Sequence, residues 1–479
     1  MSENQAAALA DLEAAAAPLE PDAGERASLM ALVLDHTESF LAALPEGPAN
    51  RRWDEAFETL DPEFVEAGRD PREVLAWLGR SVEGPGMTSA SPRFMGYVPG
   101  GGLFHSAIGD FIAATSNKYA GFASAAPGAV RLENATAAWL ARVIGFPSTA
   151  AGTLTSGGSL ANLTAIVTAR EAADEAGGGA VYLAASAHHC IDKALRIAGR
   201  RHAPRRLIAT DERHRMRADA LAEALERDIA DGVRPWLIVA SAGTVDTGAV
   251  DPLAEIADLC ARHGAWLHVD GAYGGLFMLC EEGKAILAGL ERADSVALDP
   301  HKTLFLPYGT GAVLVRNGQL LFDAFSASAD YMQPLGESAV GPSPGDLSPE
   351  LTRHFRSLRL WLPLQLAGVA AFRAAQSEKI RLARHFHARM SALPGWEVGP
   401  PPDLSIAAFR YRPAQGDIDI FNDRLLKRLQ EEGRIFLSGT RIHGESWLRC
   451  AILSFRTHLP HIEETIQVLG RIAAALESE

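Results

Sequence analysis

AWLHVDGAYGGLFMLCEEGKAILAGLERADSVALDPHKTLFLPYGTGAVLVR, residues 265–316, holds three short apolar runs: AWLHVD (265–270), SVALD (295–299) and GAVLVR (311–316). Each is too short for a helix and is followed by Gly, Pro or Asn, the pattern of a buried strand. Two of the three end on a carboxylate, Asp270 and Asp299, and Pro300, His301 and Lys302 follow the second at once. Upstream the alternation continues, with strand-like runs at AVYLAA (180–185), RRLIA (205–209) and PWLIVAS (235–241). Helical segments such as 218–230 and 252–263 separate several of them. Alternating β and α units predict a mostly parallel, doubly wound α/β sheet. Ligands of such sheets bind outside the carboxyl ends of the strands, so chemistry is expected there.

Outside this core the pattern changes. Residues 5–23 are rich in Ala and Glu and end in Pro18 and Pro21, which fits either a frayed helix or a disordered lead. Residues 25–44 place Leu29, Leu32, Val33, Phe40, Leu41 and Leu44 at helical spacing, and Pro45, Gly47 and Pro48 stop the helix. A shorter helical pattern covers 71–83. Residues 326–350 are rich in Gly, Pro and Ser, and a loop of that length is usually functional or disordered. A long helical pattern returns over 352–392. Strands at 404–411, 434–437 and 447–453, with helices at 416–432 and 459–477, predict a small α+β domain.

The chain has 479 residues, and 45 basic minus 59 acidic side chains leave a net charge of −14, which argues against a nucleic-acid partner. Hydrophobic residues at 47% and charged residues at 22% are the composition of a globular protein. Cys190, Cys260, Cys280 and Cys450 are too far apart for a CxxC pair, so a disulfide scaffold or cysteine zinc site is not expected, and a reducing compartment is. The N-terminus shows no secretory pattern and no run reaches 18 apolar residues. The reading is a cytoplasmic protein with no membrane partner and no metal.

Four features sit at strand ends or helix starts. Thr155-Ser156-Gly157-Gly158-Ser159 precedes a helical run, which suits either a phosphate cradle or an ordinary glycine turn with a serine cap. Asp270 could cap the next turn or hold a ring nitrogen protonated. Lys302 could be a surface lysine or a Schiff-base lysine, with His301 beside it as phosphate donor or proton shuttle. His188-His189 follows the run at 180–185 and could supply an imidazole that lies against a cofactor ring, or be a polar loop pair. Together these are the parts needed to hold pyridoxal 5′-phosphate.

At this point the chain resembles the group II pyridoxal-phosphate decarboxylases, which include aromatic-L-amino-acid, histidine and glutamate decarboxylases. The similarity is carried by SPRFMGYVPG (91–100), GTLTSGGSLANLTAIVTAR (152–170), ASAHHCIDKALRIAG (185–199), SAGTVDTGAVDP (241–252), WLHVDGAYGG (266–275), DPHKTLFLPYGTGAVLVR (299–316), FRSLRLWLP (355–363) and LRCAILSFRTH (448–458). The resemblance implies a type I (aspartate aminotransferase-like) fold with a mostly parallel seven-stranded sheet, acting as a homodimer. It implies a flexible lead over 1–24, a dimerisation segment over 25–100, a large domain over 101–375 with a mobile catalytic loop at 328–350, and a small domain over 376–479. Lys302 would bind the cofactor, Asp270 would pair with its ring nitrogen and His188 would stack on the ring. Gly157, Gly158, Ser159 and His301 would hold its phosphate, while Thr244 and Ala272 would touch the ring. Tyr97 and Pro99 would line the substrate pocket. The implied chemistry is decarboxylation of an L-amino acid, aromatic by the closest resemblance, through an external aldimine and a quinonoid to the amine.

Three departures from the family pattern stand out. Pro344 occupies the place of the mobile-loop tyrosine that decarboxylating members carry, so Tyr331 or His354 is expected to supply the final proton. Relatives that lack this tyrosine make an aldehyde by oxidation, which stays open here, as does aminotransferase or carbon–carbon lyase action using Arg449 or Arg456. Asp299 stands where asparagine is usual, and a carboxylate there would repel a phosphate unless turned away. Leu160 replaces a frequent glutamate and reads as a packing change. Around Tyr97, the residues Phe94, Met95, Val98, Phe104 and Phe122 suit a bulky apolar side chain, whereas Arg131 or His105 could meet an acidic one.

Overall fold

A computed structural model describes residues 3–52, 64–98, 100–173, 179–327 and 340–479. All six apolar runs read between 180 and 316 form strands, and a seventh, missed in the sequence, joins them. In chain order the strands are β1 (Ala151–Thr155), β2 (Ala180–Ala184), β3 (Arg205–Ile208), β4 (Pro235–Ser241), β5 (Trp266–Gly271), β6 (Ser295–Leu298) and β7 (Gly311–Val315). They lie in the order β1-β7-β6-β5-β4-β2-β3. From β6 to β3 every pairing is parallel, whereas β7 runs antiparallel to both β6 and β1. Strand β1 (AGTLT) escaped notice because Leu154 is its only large apolar residue. The uninterrupted apolar runs follow from burial on both faces. In β4, Ile238 and Ala240 enter one apolar cluster and Leu237 and Val239 enter another on the opposite face.

The second sheet is antiparallel. Its strands β8 (Trp396–Val398), β9 (Ile406–Tyr411), β10 (Ser438–Ile442) and β11 (Glu445–Ala451) lie in the order β8-β9-β11-β10. Phe386, Met390, Phe409, Leu425, Ile462 and Leu469 fill its core. The strand expected at 434–437 begins instead at Ser438, and Ile435, Phe436 and Leu437 form the buried approach to it. The helical pattern over 352–392 is two helices, Ser357–Leu366 and Val369–Ser391, separated at Gly368, which has φ of +75°. The lead is helical over Glu3–Ala16, as its alanines favour, and buries none of its residues. Phe94 and Met95, read as pocket residues, are core instead. Phe94 stacks on Phe436 with ring centroids 5.1 Å apart, and Met95 belongs to the small-sheet cluster. The chain at 93–95 is stitched there by Phe436 N–H to Arg93 O, Met95 N–H to Phe436 O and Ala451 N–H to Met95 O.

One buried ion pair fixes β1. Glu133, on the helix Pro127–Val143, accepts hydrogen bonds from Thr153 Oγ1 and Leu154 N–H, both 3.1 Å, and pairs with Arg353 at 2.8 Å. Arg353 also donates to Thr153 Oγ1 at 2.8 Å and to Leu154 O. Removing one partner of such a pair leaves an uncompensated buried charge, which costs about 3–5 kcal/mol. Arg353→Met is therefore expected to lower the unfolding free energy by that amount in urea titration, and a loss below about 1 kcal/mol would show that the pair does not hold β1.

Candidate active site

Strands β1, β2, β4, β5 and β6 deliver their carboxyl ends to one cavity of about 360 Å³. Between β1 and the helix Gly158–Glu171, residues Ser156, Gly157, Gly158 and Ser159 line its wall. The turn is held by Gly157 N–H donating to Thr155 Oγ1 at 3.3 Å. Gly158 is required for close approach, since a Cβ there would sit 2.8 Å from Asp299 Oδ2 and 3.0 Å from the Ala272 methyl. The first N–H groups of this helix have no intrahelical partner and favour an anion. His188 enters from the segment after β2, Thr244 from that after β4, Asp270 and Ala272 from the end of β5, and Asp299, His301 and Lys302 from the end of β6. All nine expected cofactor-binding residues thus line one cavity.

The hydrogen bonds settle several orientations. Ala272 N–H donates to Asp270 Oδ1 at 3.1 Å. Cys190 N–H donates to His188 Nδ1 at 3.1 Å, so a neutral His188 carries its proton on Nε2. Burial pushes His188 below the usual histidine range, against the opposing pull of Asp270. His301 Nδ1 lies 2.7 Å from Thr310 O, which can only accept, so the N–H is on Nδ1. Lys302 Nζ pairs with Asp299 Oδ2 at 2.9 Å. Burial alone would depress the lysine, and Asp299 reverses the sign, leaving Lys302 above its ordinary value. Asp299 is not turned away from the cradle, since its Oδ2 would lie 2.8 Å from a Cβ on Gly158. Arg359, in the FRSLRLWLP motif, ties this region together by donating to Asp110 at 2.8 Å and to Tyr308 O and Thr310 Oγ1 at 3.0 Å.

Other expectations fare differently. Tyr97 is more than half exposed and is not among the cavity-lining residues, whereas Val98 is. Pro99 and Tyr331 lie outside the described residues. His354 sits 4.0 Å from Asp110 and does not line the cavity. Leu160, read as a packing change, lines it. Asn162, Cys190 and Ser241 also line the cavity and went unread. Asn162 lies one turn beyond Gly158 and Ser159, on the same side of a helix, and that spacing is the signal that could have found it.

Asn162 and Cys190 end a buried relay whose direction is fixed. Trp266 Nε1–H can only donate, so Ser295 Oγ accepts it at 2.9 Å, and the same oxygen lies 2.9 Å from His268 Nδ1. Asn162 Oδ1, which can only accept, lies 2.6 Å from His268 Nε2, so the imidazole N–H is on Nε2 and Nδ1 is left to accept from the Ser295 hydroxyl. Asn162 Nδ2 in turn donates to Cys190 Sγ at 3.3 Å. Burial pushes His268 down to about 4, against the opposing effect of Asp270. An unfolded histidine titrates near 6.5, so between these values the unfolded chain binds a proton that the folded chain refuses, and stability falls on acidification. Wild-type protein is expected to lose about 2–3 kcal/mol through this group between pH 7 and 4.5. His268→Gln should lose correspondingly less in urea titrations at the two pH values; equal losses would show that His268 does not carry the effect.

Residues 80–412 match the pyridoxal-dependent decarboxylase conserved domain. The aromatic-L-amino-acid decarboxylase of Bacillus atrophaeus is 37% identical over 425 residues, 87% of this chain and 88% of that protein. A phenylacetaldehyde synthase of Arabidopsis thaliana is 29% identical over 82% of this chain and 84% of its own length. Among solved structures, the Oryza sativa TDC with PLP and tryptamine superposes with a TM-score of 0.89 at 25% identity, covering 96% of this chain and 99% of that one. The chain belongs to the pyridoxal-dependent decarboxylase family and is a carboxy-lyase that uses pyridoxal phosphate to decarboxylate an L-amino acid.

Proposed function

We propose that the substrate is an aromatic L-amino acid and that the chain works as a cytoplasmic homodimer. The observation that carries the reading is the single cavity in which Lys302, Asp270, His188 and the Gly157–Ser159 turn converge. These residues fit the cofactor. The turn at Gly158 leaves room that a Cβ would fill, and the helix start offers unpaired N–H groups. Lys302 would hold the cofactor covalently, and the turn Gly157–Ser159 would hold its phosphate through the N–H groups of Gly158 and Ser159, aided by His301 once its Nε2 takes up a proton. Asp270 would hold the ring nitrogen's proton, His188 would lie on the ring, and Thr244 and Ala272 would touch it. Bound pyridoxal phosphate supplies an electron-accepting ring.

The chain's own residues do the rest. Asp270 keeps a proton at the ring nitrogen, and its carboxylate is oriented for this by the Ala272 N–H. His188 is kept in one orientation by the Cys190 N–H. Once the substrate amine displaces Lys302, the lysine amine is a base free to move a proton within the cavity. Val98 and Leu160 give the wall an apolar part that suits an aromatic side chain, in keeping with the names of the relatives.

The homodimer is supported by apolar surface that one chain leaves uncovered. Phe111 and Ile112 on the helix Phe104–Ser116, and Trp361 and Leu366 on the helix Ser357–Leu366 that packs against it, are exposed. The helix Ala23–Ala43 buries none of its 21 residues. A second copy would cover such surface, with 25–100 as the dimerisation segment, 101–375 as the large domain and 376–479 as the small one. The four cysteines are free and buried, which suits a reducing compartment.

One observation favours a second reading, oxidation to an aldehyde. Pro344, at the loop-tyrosine position, is buried in a short turn whose Gly345 N–H donates to Gly121 O, so no phenol stands there. In that reaction the amino acid, oxygen and water give aldehyde, carbon dioxide, ammonia and hydrogen peroxide. Cofactor-loaded protein incubated with aromatic, acidic and aliphatic L-amino acids is expected to release carbon dioxide with an equal amount of amine from the aromatic ones. Aldehyde with oxygen uptake would establish the second reading, and release from acidic or aliphatic substrates alone would overturn the aromatic assignment. Lys302→Ala should abolish both the visible absorbance band of bound cofactor and carbon dioxide release; a band that persists would remove Lys302 from its role.

A further inference from the structure

Asp299 is the one cavity residue whose charge opposes the ligand it faces. It is 2% exposed and sits between the last residue of β6 and the turn that carries Lys302. Its two oxygens have different surroundings. Oδ2 lies 2.9 Å from Lys302 Nζ. Oδ1 is buried with no hydrogen-bond partner, because the nearby His301 Nδ1–H, 3.7 Å away, is committed to Thr310 O. The same carboxylate walls the glycine turn: a Cβ on Gly157 would lie 3.9 Å from Oδ1, and one on Gly158 2.8 Å from Oδ2. The charged and titratable groups acting on this corner are Lys302 and His301 on its own segment, Asp270 from β5, and His188 and Cys190 from the segment after β2. Arg359 acts through His301.

We propose that Asp299 is a positioning residue that latches Lys302 as an ammonium in the cofactor-free chain and so sets how fast, and at what pH, the chain captures its cofactor. The proposal rests on Lys302 being the cofactor-binding lysine. An ammonium has no lone pair to offer. Before the nitrogen can bond to the aldehyde carbon, its extra proton must leave to water and the contact with Oδ2 must break. The amine lone pair then forms the N–C bond, and the aldehyde oxygen departs as water with the two remaining amine hydrogens. Every group that stabilises the ammonium therefore slows capture, and Asp299 is the carboxylate in contact with it. The same charge acts a second time on the cofactor's phosphate. A carboxylate with an unsatisfied oxygen beside the phosphate turn repels the incoming anion. Both effects make the cofactor slower to enter and easier to lose, so that loading follows its supply.

Two probes separate the two effects. Pyridoxal carries the aldehyde without the phosphate and reports the lysine latch alone, whereas pyridoxal phosphate reports both. Cofactor-stripped wild-type protein and Asp299→Asn are mixed with each probe from pH 6 to 9, and the absorbance band of the lysine-bound aldehyde is followed in time. Asp299→Asn is expected to capture pyridoxal at least tenfold faster at pH 7, with its rate profile displaced at least one pH unit toward acid. With pyridoxal phosphate the gain should be larger still. Equal rates and superimposable profiles for pyridoxal would overturn the latch. A gain confined to pyridoxal phosphate would also overturn it, leaving only phosphate repulsion. Asp299→Ser carries the same test if the asparagine variant does not fold. Failure of the Lys302 assignment shows separately, as a band that survives in Lys302→Ala.

Discussion

The cavity depends on the directed chain of hydrogen bonds from Trp266 through Ser295, His268 and Asn162 to Cys190. Its members come from β5, β6, the cradle helix and the segment that carries His188, four pieces of chain that meet only in the folded sheet. His268 lies two residues before Asp270 and so shares its face of β5, while Leu267 and Val269 go to the core on the other. The imidazole that braces the cradle helix is thus set in register with the carboxylate assigned to the cofactor ring. Trp266 Nε1–H at one end can only donate, and Asn162 Oδ1 beyond the imidazole can only accept. A side chain that lost its place would leave buried donors unpaired, at a cost of about 1–3 kcal/mol each.

The small antiparallel sheet and the segment leading into it pack beside the site, through contacts made next to the same residues. Tyr273, one residue past Ala272, exchanges hydrogen bonds with Ser405 through its hydroxyl at 2.8 and 2.9 Å. Asp403 accepts from Val250 N–H and from Arg213. Thr440 donates to Asp246 in the segment that carries Thr244. The rim of the cavity is therefore held by both sheets, and the large sheet alone does not define it.

Much of the large sheet was legible because its inner strands β2, β4, β6 and β7 are buried on both faces and therefore apolar with little interruption, unlike the edge strand β3 with its exposed Arg205 and Leu207. Strand β1 was not, because pairing with β7 and the Glu133–Arg353 pair, rather than its own composition, make it a strand. In the site, Asp270 and Lys302 were legible as polar residues that break apolar runs at strand ends. Asn162, Cys190 and Ser241 were not, because their roles depend on which helix turn meets which strand. The difference between Tyr97 and Val98 has a local cause. Tyr97 has φ of +51°, a left-handed backbone conformation that breaks the alternation of side chains from which an inward face would be read. Phe94 and Met95 looked like pocket residues because an apolar run carries no mark of which core it enters.

The position of β1 also has a consequence for synthesis. Its pairing partner in the sheet is β7, with Thr155 opposite Gly311, and the guanidinium that neutralises Glu133 arrives later still, at Arg353. At about 5–20 residues per second, a ribosome makes the phosphate-cradle strand roughly ten to thirty seconds before the strand that anchors it. Throughout that interval β1 has its helix Pro127–Val143 but no strand to pair with, and the carboxylate of Glu133 lacks the Arg353 counter-charge. The nascent chain must therefore pass through a long stage in which the middle of the sheet can form but the edge strand β1 cannot join it, and that edge is where a chaperone would have most to protect.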